Sequence, residues 1–107
     1  MRKQIEKDIL SERIVQVIKT IYDPEIPVNI YDLGLIYSIL VDDDFVAHVT
    51  MTLTAPNCPV AESLPIDVHE KVKNVDGITD AKITLTFEPP WEREMISEMG
   101  MLELGFL

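Results

Sequence analysis

Cys58 is the only cysteine in the 107 residues, and it stands between Pro56 and Pro59, just after an alternating run that ends Met51-Thr52-Leu53-Thr54. Prolines stop a strand and force the chain to turn. Pro59 is also a residue favoured in the first turn of a helix, and the run behind it carries apolar residues at helical spacing. A thiol at such a junction meets unpaired N–H groups and the positive end of a helix dipole. Both favour the thiolate, the form that attacks electrophiles and ligates soft metals. The alternative is a small buried hydrophobe, a common role for a lone cysteine.

Other chemistry-bearing residues point less sharply. Asp42, Asp43 and Asp44 are adjacent, but they lack the alternating ligands, glycine and distant glutamate of a calcium loop, so a solvated turn is expected. Glu62 and His69 lie seven residues apart and read as a solvated helix face rather than a metal pair. A thiol enzyme would need His48 or His69 as a base beside Cys58. No acyl-transfer or redox motif surrounds the cysteine. Two histidines and one cysteine also fall short of a closed zinc site, which takes four protein ligands. A metal held through sulfur would draw on a second chain or on ligands other than cysteine.

The formal charge of −10, from 19 acidic and 9 basic residues, repels phosphate backbones and anionic lipid surfaces. Neither nucleic acid nor a membrane is an expected partner. One cysteine makes no internal disulfide, and no signal-peptide pattern opens the chain, so a cytoplasmic location is expected. With 47% hydrophobic residues, a chain of this length can bury one core.

The elements that would position Cys58 follow from periodicity. Residues 1–10 read as a flexible lead or an extra turn of helix, ahead of a single domain at 11–107. Ile14, Val17, Ile18 and Ile21 recur at spacings of three and four, predicting a helix over 11–21 with Ser11 as its cap. Residues 22–34 hold two prolines, an asparagine and a glycine, which predicts a long loop. Its Ile26, Val28, Ile30 and Leu33 should pack inward. Strands are expected at 35–41 and 45–54, joined as a hairpin, the second with Ala47, Val49, Met51 and Leu53 on its buried face. Ala61, Leu64, Val68, Val72 and Val75 form one stripe of a second helix ending near Asn74. It starts either at Val60, with Pro65 as a kink, or after Ser63. A third strand is expected at 82–88, with Glu88-Pro89-Pro90 as its stop. Trp91 then caps the core or covers a site, and 92–104 read as a last helix weakened by Gly100. The order is α+β: a small mixed or antiparallel three-stranded sheet with helices packed on one face.

Four pieces then stand in one order: Asp23-Pro24-Glu25, Tyr31-Asp32-Leu33-Gly34-Leu35-Ile36, Thr52-Leu53-Thr54 through Cys58-Pro59, and Glu88-Pro89-Pro90-Trp91. Together they resemble the SufT-like metal-sulfur cluster biosynthesis domain, a family related to PaaD-type proteins and to the eukaryotic cytosolic iron-sulfur targeting subunit. The resemblance spans roughly residues 10 to 105. It implies an accessory factor in iron-sulfur cluster assembly, a carrier or adaptor and not an enzyme, that meets assembly proteins and recipient apoproteins and handles a transient iron-sulfur cluster or iron. Cys58 would be the cluster or metal ligand, with Asp23, Glu25, Asp32, Thr52, Thr54, Glu88 and Trp91 forming the supporting pocket. Asp23 and Asp32 would equally serve as turn caps. One thiol per chain leaves a cluster open, which implies a homo-oligomer or ligation shared with a partner. PaaD-like members carry further cysteines toward the C-terminus, and this chain has none after Cys58, so an oxygenase-maturation component is the alternative, with a Cys58 thiol enzyme behind it.

Overall fold

The computed structural model describes residues 2–23, 26–54 and 63–105. Helix α1 (Arg2–Ile18) leads through a loop into strands β1 (Ile36–Val41) and β2 (Val46–Met51). Helix α2 (Ser63–Lys73), strand β3 (Asp80–Leu85), a 3-10 turn at Arg93–Met95 and helix α3 (Glu98–Glu103) follow. The sheet order is β1-β2-β3. β1 and β2 form the expected hairpin, whereas β3 runs parallel to β2 with Val49 opposite Ile83. The sheet is therefore mixed, as parallel neighbours need a crossover and α2 supplies it.

Alternation puts Val41, Ala47, Val49, Met51 and Ala81 on the buried face, against Leu10, Ile14 and Ile18 of α1 and Leu64, Val68 and Val72 of α2. The opposite face keeps Leu40, His48, Thr50 and Lys82 at least partly in solvent. A half-buried sheet under helices is the arrangement that such a period-two pattern specifies. Pro65 lies within α2 as described from Ser63, and the alternative start at Val60 falls outside the described residues.

Three boundaries differ from the sequence-based expectation. First, α1 begins at Arg2, so the lead expected at residues 1–10 continues the helix as described from residue 2, and Ser11 lies inside it. Lys7 pairs with Asp43, Lys3 lies over the Phe45 ring, and Leu10 is buried. The two lysine contacts come from the distant β1–β2 hairpin, and Leu10 lies against Gly77 between α2 and β3, neither of which local periodicity reports. Second, β3 starts at Asp80 and ends at Leu85 rather than spanning 82–88. Leu85 and Phe87 are 37% and 38% exposed at this sheet edge. Third, the segment at 92–104 is broken between the 3-10 turn and α3. Ile96 is extended (φ −66°, ψ 131°), and the Ser97 hydroxyl oxygen accepts from Gly100 N at 3.1 Å, capping the new helix.

Gly100 is a packing requirement rather than a weakness of α3. A Cβ there would lie 2.7 Å from Ile96 Cγ2 and 3.1 Å from Asp32 O. Gly100→Ala is expected to destabilise the fold by about 1–3 kcal/mol through overpacking, measured by urea unfolding. Exposed Met99→Ala should stay within about 0.5 kcal/mol.

The hairpin turn carries two carboxyls whose pKa values lie below the ordinary 3.8. The His48 hydrogen bond is the main cause at Asp42, and the Lys7 hydrogen bond at Asp43. A folded pKa below the unfolded one adds stability that is complete above the unfolded value and disappears as pH falls through the folded value. Melting temperature should therefore fall more steeply below about pH 4 in the wild type than in an Asp42→Asn/Asp43→Asn variant, read by circular dichroism.

Candidate functional site

The loop between α1 and β1 is held by backbone and side-chain bonds at both ends. Ile30 N donates to Ile21 O at 2.9 Å and Leu35 N to Ile30 O at 3.1 Å, while Val28, Ile30 and Leu33 are fully buried. The apolar residues anchor the loop and leave its polar ones at fixed places. Asp23 is 5% exposed, and its Oδ1 accepts from Ile26 N at 3.1 Å, closing an Asx-type turn.

Asp32 has both carboxylate oxygens engaged. Asn29 Nδ2 donates to Oδ2 at 2.8 Å, and Ser97 Oγ donates to Oδ1 at 2.9 Å. The Asp32 backbone adds two further bonds: its N donates to Asn29 Oδ1 at 2.9 Å, and its O accepts from Ser97 N at 2.7 Å. Trp91 ties the same loop to the C-terminal segment, its Nε1 donating to Leu33 O at 2.7 Å. Tyr37 Oη donates to Pro89 O at 2.7 Å. The Glu88-Pro89-Pro90-Trp91 segment is thus fastened to β1 and the acidic loop by two hydrogen bonds. Trp91 both packs on the core and clamps the loop.

At the exit of β2, Thr52 N donates to Leu35 O at 2.8 Å, which joins the strand end to the end of the loop. The Thr52 side chain is fully buried and its hydroxyl has no hydrogen-bond partner among the described residues. Thr54 is half-buried, and Glu88 is exposed with its N bonded to Thr86 Oγ1 at 3.2 Å. Of the expected site residues, Cys58 and Glu25 lie outside the described residues. Asp32 and Trp91 are brought onto one loop, Thr52 is joined to that loop at Leu35, and Glu88 stands in the clamped segment. Asn29 and Ser97 are partners that the sequence reading missed. Their signals were an asparagine three residues before Asp32 and a serine three residues before Gly100, the spacings of an Asx turn and a helix cap.

Both histidines pair with carboxylates. His48 Nε2 lies 2.9 Å from Asp42 Oδ2, and four residues of strand, about 13 Å, separate it from Thr52. His69 Nδ1 is 3.6 Å from Glu70 Oε1. Among the described residues no three His, Cys, Asp or Glu side chains cluster as a metal site. A cavity of about 300 Å³ between α1 and the hairpin, lined by Glu6, Ile9, Leu10, Arg13, Phe45 and Gly77, shares no lining residue with the acidic loop. No helix among the described residues is long and apolar enough to cross a membrane.

The family described as "Iron-sulfur cluster assembly protein" matches residues 11–85. The chain belongs to this family. It is 59% identical over 97 residues to a Porphyromonas gingivalis protein named "Fe-S protein maturation auxiliary factor", covering 91% of this chain and 92% of that one. It is 32% identical to the Bacillus subtilis "Fe-S protein maturation auxiliary factor YitW", covering 92% and 97%. The fold matches a crystal structure from Bacillus anthracis titled "Domain of Unknown Function DUF59", with TM-score 0.88 and 28% identity, covering 97% of this chain and 99% of that one. The mixed three-stranded sheet under helices is therefore the family's α+β fold. The relatives bear the names of maturation factors, not of enzymes.

The Asp32–Ser97 bond and the α3 cap share one hydroxyl. Ser97→Ala should cost about 1–2 kcal/mol in urea unfolding. Ser97→Thr should recover most of the loss.

Proposed function

We propose that this protein is an accessory factor in the maturation of iron-sulfur proteins, a carrier or adaptor that presents iron-sulfur cargo through Cys58 to recipient apoproteins. The observation that carries the reading is the 59% identity to a named Fe-S protein maturation auxiliary factor across nearly the full length of both chains. The working unit is the single domain expected at 11–107 together with the first part of α1, whose Leu10 packs into the same core, with Asp23, Glu25, Asp32, Thr52, Thr54, Glu88 and Trp91 as the surroundings of the cargo.

The chemistry of the donor set fits iron and sulfide as cargo. A thiolate is a soft ligand for iron. A single thiol occupies one coordination position and leaves the remainder to sulfide, to a second copy of the chain or to the recipient. Cargo held by so few protein ligands can leave, which suits delivery rather than storage. Asp23 and Asp32 act here through the scaffold: carboxylates that close turns keep the loop rigid beside the β2 exit. The partners are assembly proteins on one side and apoproteins on the other.

Anaerobic reconstitution with ferrous iron and sulfide, followed by absorption spectra and light-scattering mass, tests the reading. Wild type should develop a sulfur-to-iron absorption band in an assembly larger than one chain, and Cys58→Ser should lose at least about tenfold of it. A band of equal strength in both proteins would remove Cys58 from ligation. A band in neither would leave an adaptor that works by protein contact alone.

A further inference from the structure

The sheet has two edges, β1 on one side and β3 on the other, and they are finished differently. On β3, Asp80 and Lys82 place charge on the strand, and Asp80 Oδ1 accepts from Ala81 N at 2.8 Å. Charge, and a donor already taken, discourage the addition of a further strand. β1 has neither device. Its residues Ile36-Tyr37-Ser38-Ile39-Leu40-Val41 include no charge and no proline, and the irregularity at Ile36/Ser38 leaves 38–41 in regular register.

The phase of the hairpin fixes which groups β1 offers. Asp42 N donates to Val46 O at 3.0 Å, and Leu40 and Ser38 stand opposite His48 and Thr50. Bonded and non-bonded pairs alternate along an antiparallel ladder. Ser38 and Leu40 therefore turn their N–H and C=O groups to β2, whereas Ile39 and Val41 turn theirs outward. No described strand takes them. Such a row of donors and acceptors is matched by another extended backbone.

A groove runs beside that edge, between α1 and β1. One part, of about 270 Å³, is lined by Val15, Tyr31, Ile36, Tyr37, Ser38 and Ile39; a second, of about 180 Å³, shares Val15 and Tyr31 and includes Glu12. An added strand sends every second side chain to one side, and Val15 and Ile39 suit aliphatic ones there. Charge orients the occupant. α1 runs from the hairpin, where Lys7 meets Asp43, to the loop that enters β1, where Lys19 lies over the Tyr31 ring. Toward the hairpin, Glu12 and Asp44 have no ion-pair partner among the described residues, so a basic residue of the occupant belongs at that end. A second copy of the chain fits less well. Its own Val41 is 4% exposed in its own core and is not free to enter the groove, and two chains of charge −10 repel.

We propose that the β1 edge is a docking site for an extended segment of a polypeptide partner, added antiparallel to β1 as a fourth strand, with aliphatic residues at alternate positions and a basic residue at the hairpin end. Antiparallel pairing is the more stable sense per residue, and it puts the basic residue at the amino end of the segment. Backbone bonds to Ile39 and Val41 supply affinity, and the groove selects the side chains. Nothing in this surface uses Cys58 or iron.

The test is a titration of the isotope-labelled protein, followed by amide NMR and hydrogen exchange, with a capped peptide Lys-Val-Ser-Val-Ser-Val-Ser. In the free protein the Ile39 and Val41 amides should exchange on the order of tenfold faster than those of Ser38 and Leu40. Saturating peptide should slow Ile39 and Val41 by about tenfold and leave Ala81 and Ile83 unchanged. The same peptide N-methylated at its valines keeps the side chains but loses the donors that face β1, and should bind at least about tenfold more weakly. Glutamate in place of the lysine should weaken binding by about threefold, a difference that shrinks at high salt. Equal affinity for either altered peptide overturns the proposal, as do shifts centred on β3 or absent from β1. Ile39 and Val41 amides already slow in the free protein overturn it too, as does exchange that slows with protein concentration alone, the mark of a second copy on this edge. No iron enters the titration, so its failure leaves the carrier reading standing, and failure of the carrier reading leaves this site.

Discussion

Both oxygens of the Asp32 carboxylate are occupied by bonds to other parts of the chain, and the packing of the acidic loop against the C-terminal segment depends on that arrangement. Asn29 closes the loop on itself through one oxygen, and Ser97 brings the C-terminal segment to the other. Ser97 in turn caps α3 through Gly100 N. The glycine is required because Asp32 O and Ile96 leave no room for a Cβ. Loop, cap and glycine therefore form one connected unit. A carboxylate that accepts two hydrogen bonds in a half-buried site is a stronger constraint than either bond would be on a surface.

The sheet and helices supply the rigid frame for this unit. The buried face of β2 is covered by α1 and α2, and β2 ends where Thr52 joins Leu35. Trp91 then holds the loop from the other side through Leu33 O. The acidic loop is thus gripped by a strand exit and by an aromatic clamp, each from a different part of the chain. On the proposed carrier reading, such a frame keeps the surroundings fixed, so that affinity is set by few ligands rather than by refolding of the site.

The legible part of this protein was large where one element could be read by itself. Ile14 and Ile18, Ala47, Val49 and Met51, and Leu64, Val68 and Val72 were all placed on buried faces by spacing alone, and all are buried. The loop at 22–34 was recognisable because its prolines and glycine forbid a regular element while its Val28, Ile30 and Leu33 demand burial. Gly100 was read as a helix weakness, because its reason lies in the close approach of Ile96 and of the distant Asp32 and Val28, which the fold alone brings there. The extension of α1 to Arg2 was obscured in the same way, since Lys3 and Lys7 find their partners on the hairpin.

Sequence by itself determined the α+β class, the order of elements, the core-facing stripes and the family, because periodicity, turn residues and short ordered motifs are local properties of the chain. Only the tertiary structure decided that β3 lies parallel to β2, that Ser97 and Asn29 share Asp32, and that Thr52 is sealed with its hydroxyl unpaired among the described residues. Each of those facts is a contact between residues distant along the chain or a property of the enclosure they create together. A residue's spacing reports which face it turns inward, but not what it meets there.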